Sequence, residues 1–142
     1  LGVYDKKWLN THCEVLKELG SNKVMVVHGF DGLDEITLSQ NTYICELKDK
    51  KINNYNFDPR DIGYNYISLE DIKGGDPKYN ADNFMKMING DHHKFQKIVE
   101  INAGATIYLA GKASNIKEGA LIAQKSINEG KTKEFINTII NE

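Results

Sequence analysis

The feature that most constrains the fold of this chain is the apolar run VMVV at residues 24–27, which a turn-rich acidic segment follows directly. A continuous run of apolar, mostly β-branched residues is typical of a strand buried on both faces, as strands of parallel sheets usually are. Upstream, Asp5 is a candidate N-cap for a helix that ends near Gly20. A helix followed by a buried strand predicts an α/β unit.

A β-hairpin is predicted after this unit. Residues 42–48 and 52–57 each alternate between apolar and polar side chains, and residues 49–51 between them read as a turn. On the second strand we expect Tyr55 and Phe57 to point inward.

The rest of the chain is predicted to be helical. Asp76 caps a helix with Pro77 in its first turn. Its apolar stripe consists of Ala81, Phe84, Met85 and Ile88.

Three more helices are predicted toward the C-terminus. The first spans about residues 94–110 and is apolar nearly all round, which is typical of a helix in the centre of a larger body. We expect a solvated cap at His92 and His93 before it. Asn115 and Glu118 form a capping box for the next helix, and a short amphipathic helix closes the chain. No repeat, linker or internal domain boundary is visible.

The charge pattern argues against a nucleic-acid partner. The formal net charge is −2, and the basic residues are scattered rather than banded. Seventeen of the 18 basic residues are Lys and Arg60 is the single Arg. Since bidentate phosphate clamps favour Arg, a protein of this composition needs Lys, backbone amides or a metal ion to bind anions.

The sequence also favours a soluble location in the cytoplasm. No apolar run approaches the ~20 residues that a membrane helix needs, so no membrane partner is expected. Cys13 and Cys45 form neither a disulfide framework nor a metal-ligand spacing, which indicates a reducing compartment.

The candidate chemistry lies in the segment HGFDGLDE, residues 28–35, which begins where the predicted strand ends. Ligands of open α/β sheets bind beyond the carboxyl ends of the strands. Asp31, Asp34 and Glu35 place three carboxylates within five residues, and one or two carboxylates completed by water and phosphate oxygens are the usual protein ligands of Mg²⁺. A solvated Gly/Asp turn is the alternative, and on these residues alone it is favoured over a metal site.

Five segments in order, LGVYDKKW, VVHGFDGLDEIT, DPRDIGY, IKGGDPKYNA and EINAGATIYLAG, resemble the C-terminal part of the anthranilate phosphoribosyltransferases. The resemblance implies that residues 1–142 are the C-terminal part of the large α/β catalytic domain of the nucleoside phosphorylase/phosphoribosyltransferase fold, with a β-hairpin and C-terminal helices. It implies a pentosyltransferase that joins anthranilate to the ribose of phosphoribosyl pyrophosphate (PRPP) and releases pyrophosphate, in tryptophan biosynthesis.

The same resemblance assigns the metal site. The acidic pair that closes the DGLDE motif is Asp34 and Glu35 here, and in the family it binds one of two Mg²⁺ ions that engage the pyrophosphate. Asp31 is then left with a role in loop geometry. His28 is expected to bond to backbone rather than to phosphate.

The resemblance further implies that several parts lie upstream of Leu1. These are the N-terminal helical domain, a GTGGD loop, a KHGNR segment, a metal-binding serine and the arginine that faces anthranilate. The catalytic residues are therefore unknown in this chain, and we expect residues 1–142 alone to be inactive. A homodimer, formed through the helical domain, is implied for the full-length protein only.

Two other functions are considered. A pyrimidine nucleoside phosphorylase of the same superfamily uses inorganic phosphate and has no need of the acidic pair. A non-catalytic relative that binds nucleic acid on this fold is expected to carry a basic surface, which the net charge of −2 disfavours.

Overall fold

The computed structural model describes residues 1–91 and 93–140, which form two compact units. The first unit is Leu1–Tyr66 and the second begins at Ile67. The sequence shows no linker between them, because the division falls in an ordinary polar connection. Among the described helices, none is both long and apolar enough to cross a membrane.

The first unit is a three-stranded sheet covered by one helix. A 3-10 turn, Lys6–Trp8, leads into α1, Leu9–Glu18, and the strands are β1, Val24–Gly29; β2, Thr42–Lys48; and β3, Lys51–Phe57. The order of strands is β1-β2-β3, and both pairings are antiparallel. Asp5 caps the 3-10 turn by accepting a hydrogen bond from the Lys7 amide at 3.0 Å, and Gly20 ends the helix with a φ of 90°.

The predicted strand at residues 24–27 is confirmed, but its main pairing is antiparallel rather than parallel. Val24, Met25, Val26 and Val27 are all buried, as a strand covered on both faces must be. Its parallel neighbour is the short segment Leu1–Val3, which forms an isolated bridge from Gly2 to Val27. The Val3 amide donates to the Val27 carbonyl at 3.0 Å, and the Val27 amide donates to the Leu1 carbonyl at 2.9 Å. Helix α1 is the crossover between the two parallel segments, which is the predicted α/β unit.

The hairpin is confirmed, but only one of the two side chains that were predicted to point inward is buried. Asp49 and Lys50 turn the chain with φ values of 51° and 63°, the backbone that two-residue hairpin turns need. Phe57 is buried, whereas Tyr55 is 36% exposed. Tyr55 lies on an edge strand opposite Ile44, and its hydroxyl donates to the Glu46 carboxylate at 3.0 Å.

The second unit is helical, with α2, Pro77–Ile88; α3, His93–Leu109; α4, Ile116–Asn128; and α5, Lys131–Ile140. Asp76 accepts from the Tyr79 amide at 2.8 Å and Asn115 from the Glu118 amide at 2.9 Å, so both predicted N-caps are present. The capping box is only half as predicted, because the Glu118 carboxylate accepts from the Ser114 amide at 2.7 Å instead of the Asn115 amide. A solvated cap was expected at His92 and His93. His92 and the side chain of His93 lie outside the described residues.

The predicted stripe of α2 is only partly right. Phe84 and Ile88 pack into the core of this unit, whereas Ala81 and Met85 are exposed and Met87 is buried in their place. The core is formed with residues of later helices, such as Ile127, so only the C-terminal end of α2 meets it. Periodicity within one helix does not reveal where the neighbouring helices end.

Helix α3 is buried along one side rather than all round. Ile98, Ile101 and Ala105 are buried, and Thr106 is exposed. Glu100 is fully buried and accepts hydrogen bonds from Gln96 at 2.9 Å and from Lys97 at 3.1 Å. A buried carboxylate is costly unless it is paired in this way.

Helices α3 and α4 cross where two glycines meet. A Cβ on Gly104 would lie 2.4 Å from the Ala120 nitrogen, and one on Gly119 would lie 2.2 Å from the Gly104 oxygen. Real Cβ atoms do not approach backbone so closely, so the helices can be this near only because both positions lack a side chain.

We therefore expect Gly104→Ala to destabilise the chain. Alanine favours a helix over glycine by about 1 kcal/mol, but the added methyl group must push two backbones apart, and overpacking of this kind costs about 1–3 kcal/mol. Urea denaturation followed by circular dichroism measures the net effect. Thr106→Ala, on the exposed side of the same helix, is the control, and an unchanged or higher midpoint for Gly104→Ala would contradict the packing argument.

The two cysteines are predicted to be unreactive while the protein is folded. Burial raises the pKa of Cys45 to about 12, with a further contribution from neighbouring Cys13, and burial also raises the pKa of Cys13. Because the thiolate is the reactive form, both should react with a disulfide reagent at least about 10²-fold more slowly than an exposed thiol. Thr11→Cys, on the exposed side of α1, supplies that reference, and urea should remove the difference. Equal rates in the native protein would show that the thiols are accessible.

Candidate metal site

The acidic loop joins the buried strand β1 to β2, as the sequence predicts. It turns back immediately after β1, since the Gly29 amide donates to the Leu33 carbonyl at 2.7 Å and the Gly32 amide to the Gly29 carbonyl at 3.0 Å. Gly32 has a φ of 94°, which favours glycine. The loop thus leaves the strand by a tight turn and presents its acidic residues at the strand's carboxyl end.

Asp31 is held inside the loop. Its carboxylate accepts hydrogen bonds from the hydroxyl groups of Thr37 and Ser39 and from the Leu33 amide, the last at 3.1 Å. Thr37 is fully buried. Three donors occupy this carboxylate, so its role is to close the loop, as the resemblance implies.

Asp34 and Glu35 are the two acidic residues that remain open to a ligand. Both are exposed, and within the described part of the chain no hydrogen bond or ion pair engages either carboxylate. The pKa of Glu35 is raised, first by partial desolvation and then by the negative charge of Asp34. Two adjacent carboxylates in this state repel one another, and a cation between them relieves the repulsion.

The segment Leu1–Val3 closes the space behind this pair. A Cβ on Gly2 would lie 1.5 Å from the Asp34 backbone oxygen, so the two backbones touch. The neighbouring Val3 carbonyl accepts a hydrogen bond from His28 Nδ1 at 2.8 Å. His28 therefore bonds to backbone, as expected, and its ring also stacks on that of Tyr43 with centroids 6.5 Å apart.

The two carboxylates are the right kind of ligand for a hard divalent cation, but two are too few to complete its coordination. Carboxylate oxygens are the ligands that Mg²⁺ prefers, and it usually keeps one or two of them together with water and phosphate oxygens. Among residues 1–91 and 93–140, no group of three or more His, Cys, Asp or Glu side chains converges on one metal position. Asp34 and Glu35 could thus supply two of the ligands of such a cation, and the remaining oxygen atoms would have to come from elsewhere.

A cleft elsewhere in the first unit is not a candidate metal site. It is a cleft of about 430 Å³ between α1 and the hairpin. Lys6 lies in its wall with Nζ 3.6 Å from the centroid of the Tyr43 ring, and Asn54 donates to Asn10 at 2.8 Å. Its lining contains amides, aromatic rings and one Lys but no carboxylate, so it lacks anionic metal ligands.

Sequence reasoning found the acidic residues but missed what surrounds them. Thr37, Ser39 and Gly2 were not singled out, although two of the three follow the DGLDE motif within four residues. Hydroxyl residues directly after a Gly/Asp turn were the available signal. The contact of Gly2 with Asp34 had no local signal, since the two residues are far apart in sequence.

Comparison with known proteins gives a consistent picture. The glycosyl transferase family, a/b domain, matches residues 1–133. The chain is 39% identical to the anthranilate phosphoribosyltransferase of Methanobrevibacter smithii over 140 residues, which cover 99% of this chain and 42% of that protein. It is 44% identical to the enzyme of Clostridium beijerinckii over 128 residues, which cover 90% of this chain and 38% of that protein.

Solved structures show the same likeness. The anthranilate phosphoribosyltransferase of Thermus thermophilus superposes with a TM-score of 0.86 at 30% identity, covering 97% of this chain and 40% of that one. The enzyme of Saccharomyces cerevisiae in complex with PRPP and Mg superposes with a TM-score of 0.78, covering 92% of this chain and 38% of that one. Its identity is 24%, so this second likeness shows the fold alone.

These comparisons also give the extent of the match. The chain spans about two fifths of the length of the relatives, 42% of one and 38% of the other. Within the chain the family match is nearly complete and includes the whole acidic loop. The chain therefore belongs to the glycosyl transferase family, a/b domain.

Proposed function

We propose that this chain supplies the metal-binding carboxylate pair of an anthranilate phosphoribosyltransferase. The observation that carries the proposal is the pair Asp34 and Glu35, exposed at the carboxyl end of β1 and without a partner in the described residues. The relatives named above are anthranilate phosphoribosyltransferases, and one yeast structure of this fold holds PRPP and Mg. The whole protein would then transfer the phosphoribosyl group of PRPP to anthranilate, release pyrophosphate, and serve tryptophan biosynthesis.

The proposal includes the place of this chain in the enzyme. Residues 1–142 would form the C-terminal part of the α/β catalytic domain, and the catalytic residues would lie in the helical domain and the PRPP-binding loops upstream. The fact that the match covers about 40% of the Thermus enzyme supports this assignment. We place the enzyme in the cytoplasm, and the free thiols of Cys13 and Cys45 support this.

Two acidic residues suit a highly anionic substrate for a simple electrostatic reason. Carboxylates repel a diphosphate, so Asp34 and Glu35 can face one only across a cation. When Mg²⁺ is bound, it acts as a Lewis acid that stabilises the negative charge developing on the departing pyrophosphate. Asp34 and Glu35 would hold the cation through their carboxylate oxygens, and their exposure leaves room for water and phosphate oxygens.

The same pair distinguishes this function from that of a nucleoside phosphorylase. An enzyme that binds inorganic phosphate directly needs cationic or amide donors at that place, and two neighbouring carboxylates would oppose binding. Arg60, the single Arg of the chain, is engaged elsewhere, since its guanidinium bonds to Asp58 at 2.6 Å. The acidic loop therefore favours the metal-dependent transferase.

The proposal predicts that the pair is required for turnover. In the full-length protein, Asp34→Asn with Glu35→Gln should lower kcat/KM for PRPP by roughly 10²–10³-fold, since it removes charge stabilisation of the leaving group. The Mg²⁺ concentration needed for half-maximal rate should also rise. Loss of anthranilate fluorescence in the presence of PRPP measures both effects.

The chain offers a matched control, the adjacent acidic pair Glu70 and Asp71 in the second unit. Both side chains form surface ion pairs, with Lys73 and Lys94 respectively. Glu70→Gln with Asp71→Asn makes the same change in charge in a different segment of the chain, and surface pairs contribute at most about 1 kcal/mol each. If the loop variant turns over PRPP as fast as this control, the metal assignment is wrong.

A further inference from the structure

We propose that Asp31, Thr37 and Ser39 are positioning residues that hold the Asp34–Glu35 pair in the geometry that a divalent cation requires. This inference rests on the proposed metal role of the pair. It concerns the loop that carries the ligands rather than the ligands themselves. We name the three residues the hydroxyl clamp.

The hydroxyl clamp spans the acidic pair along the chain. Asp31 precedes the pair by three residues, and Thr37 follows it by two. Both hydroxyl groups donate to the same carboxylate oxygen of Asp31, Oδ2, and the Leu33 amide donates to its other oxygen, Oδ1, at 3.1 Å. The segment that contains Asp34 and Glu35 is thereby closed into a small loop, with both ends tied to one charged group.

The clamp is anchored to the sheet. The Thr37 amide donates to Oγ1 of Thr42, the first residue of β2, at 3.1 Å, and both threonines are fully buried. The side chains on either side of Thr37 are buried as well, with Ile36 at 1% and Leu38 at 0% exposure. A hydrogen bond from Thr37 to Asp31 therefore connects the ligand loop to a rigid strand.

The opposite side of the pair is closed by backbone. Gly2 touches the backbone of Asp34, and its segment is hydrogen-bonded to β1. This contact restricts movement of the Asp34 backbone toward the Leu1–Val3 segment, and we infer that the clamp restricts the loop further. The ligand side chains themselves are exposed.

Geometry matters for this particular cation. Mg²⁺ demands near-octahedral coordination at about 2.0–2.1 Å, so a small displacement of two ligands weakens binding. Removing groups that orient metal ligands typically costs about 10–100-fold in metal affinity. A clamp that fixes the loop is thus expected to act on the dissociation constant of the metal.

The test is Mn²⁺ binding to the full-length protein, followed by the relaxation of water protons and independent of turnover. Thr37→Val keeps the shape and removes the hydroxyl, and it should raise the Kd for Mn²⁺ about 10–100-fold. Thr37→Ser restores the hydroxyl and should bind within a few-fold of the wild type. Amide hydrogen exchange of residues 33–36 should be faster in Thr37→Val than in Thr37→Ser. A general loss of stability would instead speed up exchange outside this loop as well.

Ser39→Ala is the second variant, and it decides the question if Thr37→Val does not fold. It should raise the Kd and speed up the same amides, whereas Ser21→Ala, in the connection between α1 and β1, should do neither. Wild-type Kd and exchange in the hydroxyl-free variants would overturn the positioning role.

The metal assignment is tested separately in the same assay. If Asp34→Asn with Glu35→Gln leaves Mn²⁺ binding unchanged, the proposed metal site itself is wrong. If that double variant abolishes binding and Thr37→Val does not weaken it, only the clamp is wrong.

Discussion

The structure of the first unit depends on β1 being hydrogen-bonded on both edges and covered on both faces. Antiparallel β2 lies along one edge, and the parallel segment Leu1–Val3 lies along the other. Its neighbour β2 begins at Thr42, opposite Gly29, so within the described sheet β1 has no β2 residue to pair with beyond Gly29. The chain must therefore turn at Gly29, and whatever follows is displayed at the carboxyl end of the strand. The place of the acidic loop is a consequence of that enclosure.

The loop assigns its three carboxylates to two different tasks. Asp31 is surrounded by donors and closes the turn, whereas Asp34 and Glu35 are exposed. The difference follows from the loop geometry, because Asp31 lies where Thr37 and Ser39 return to the sheet. A site with three open carboxylates would carry more charge than one Mg²⁺ neutralises. Because the Asp31 carboxylate is already hydrogen-bonded within the loop, only Asp34 and Glu35 remain open. Their two negative charges together equal the charge of one divalent ion.

Local signals predicted most elements, and long-range contacts account for what was missed. The caps at Asp76 and Asn115 and the buried strand at residues 24–27 depend on neighbours in sequence, so the sequence alone was sufficient. The exposure of Tyr55 depends on β3 being an edge strand, which no pattern within β3 reveals. For the same reason the acidic pair was predictable, but its contact with Gly2 was not.

The raised pKa of Glu35 bears on the proposed metal role of the pair. Desolvation and the charge of Asp34 both disfavour the ionised form of Glu35 in the free protein. A bound divalent ion would favour the ionised form of both carboxylates, because it would supply the opposite charge at close range. Removal of Asp34 alone would lower the pKa of Glu35 and yet weaken metal binding, since one ligand is lost. On the proposed metal role, the repulsion between the two carboxylates in the free loop would therefore favour the binding of a cation.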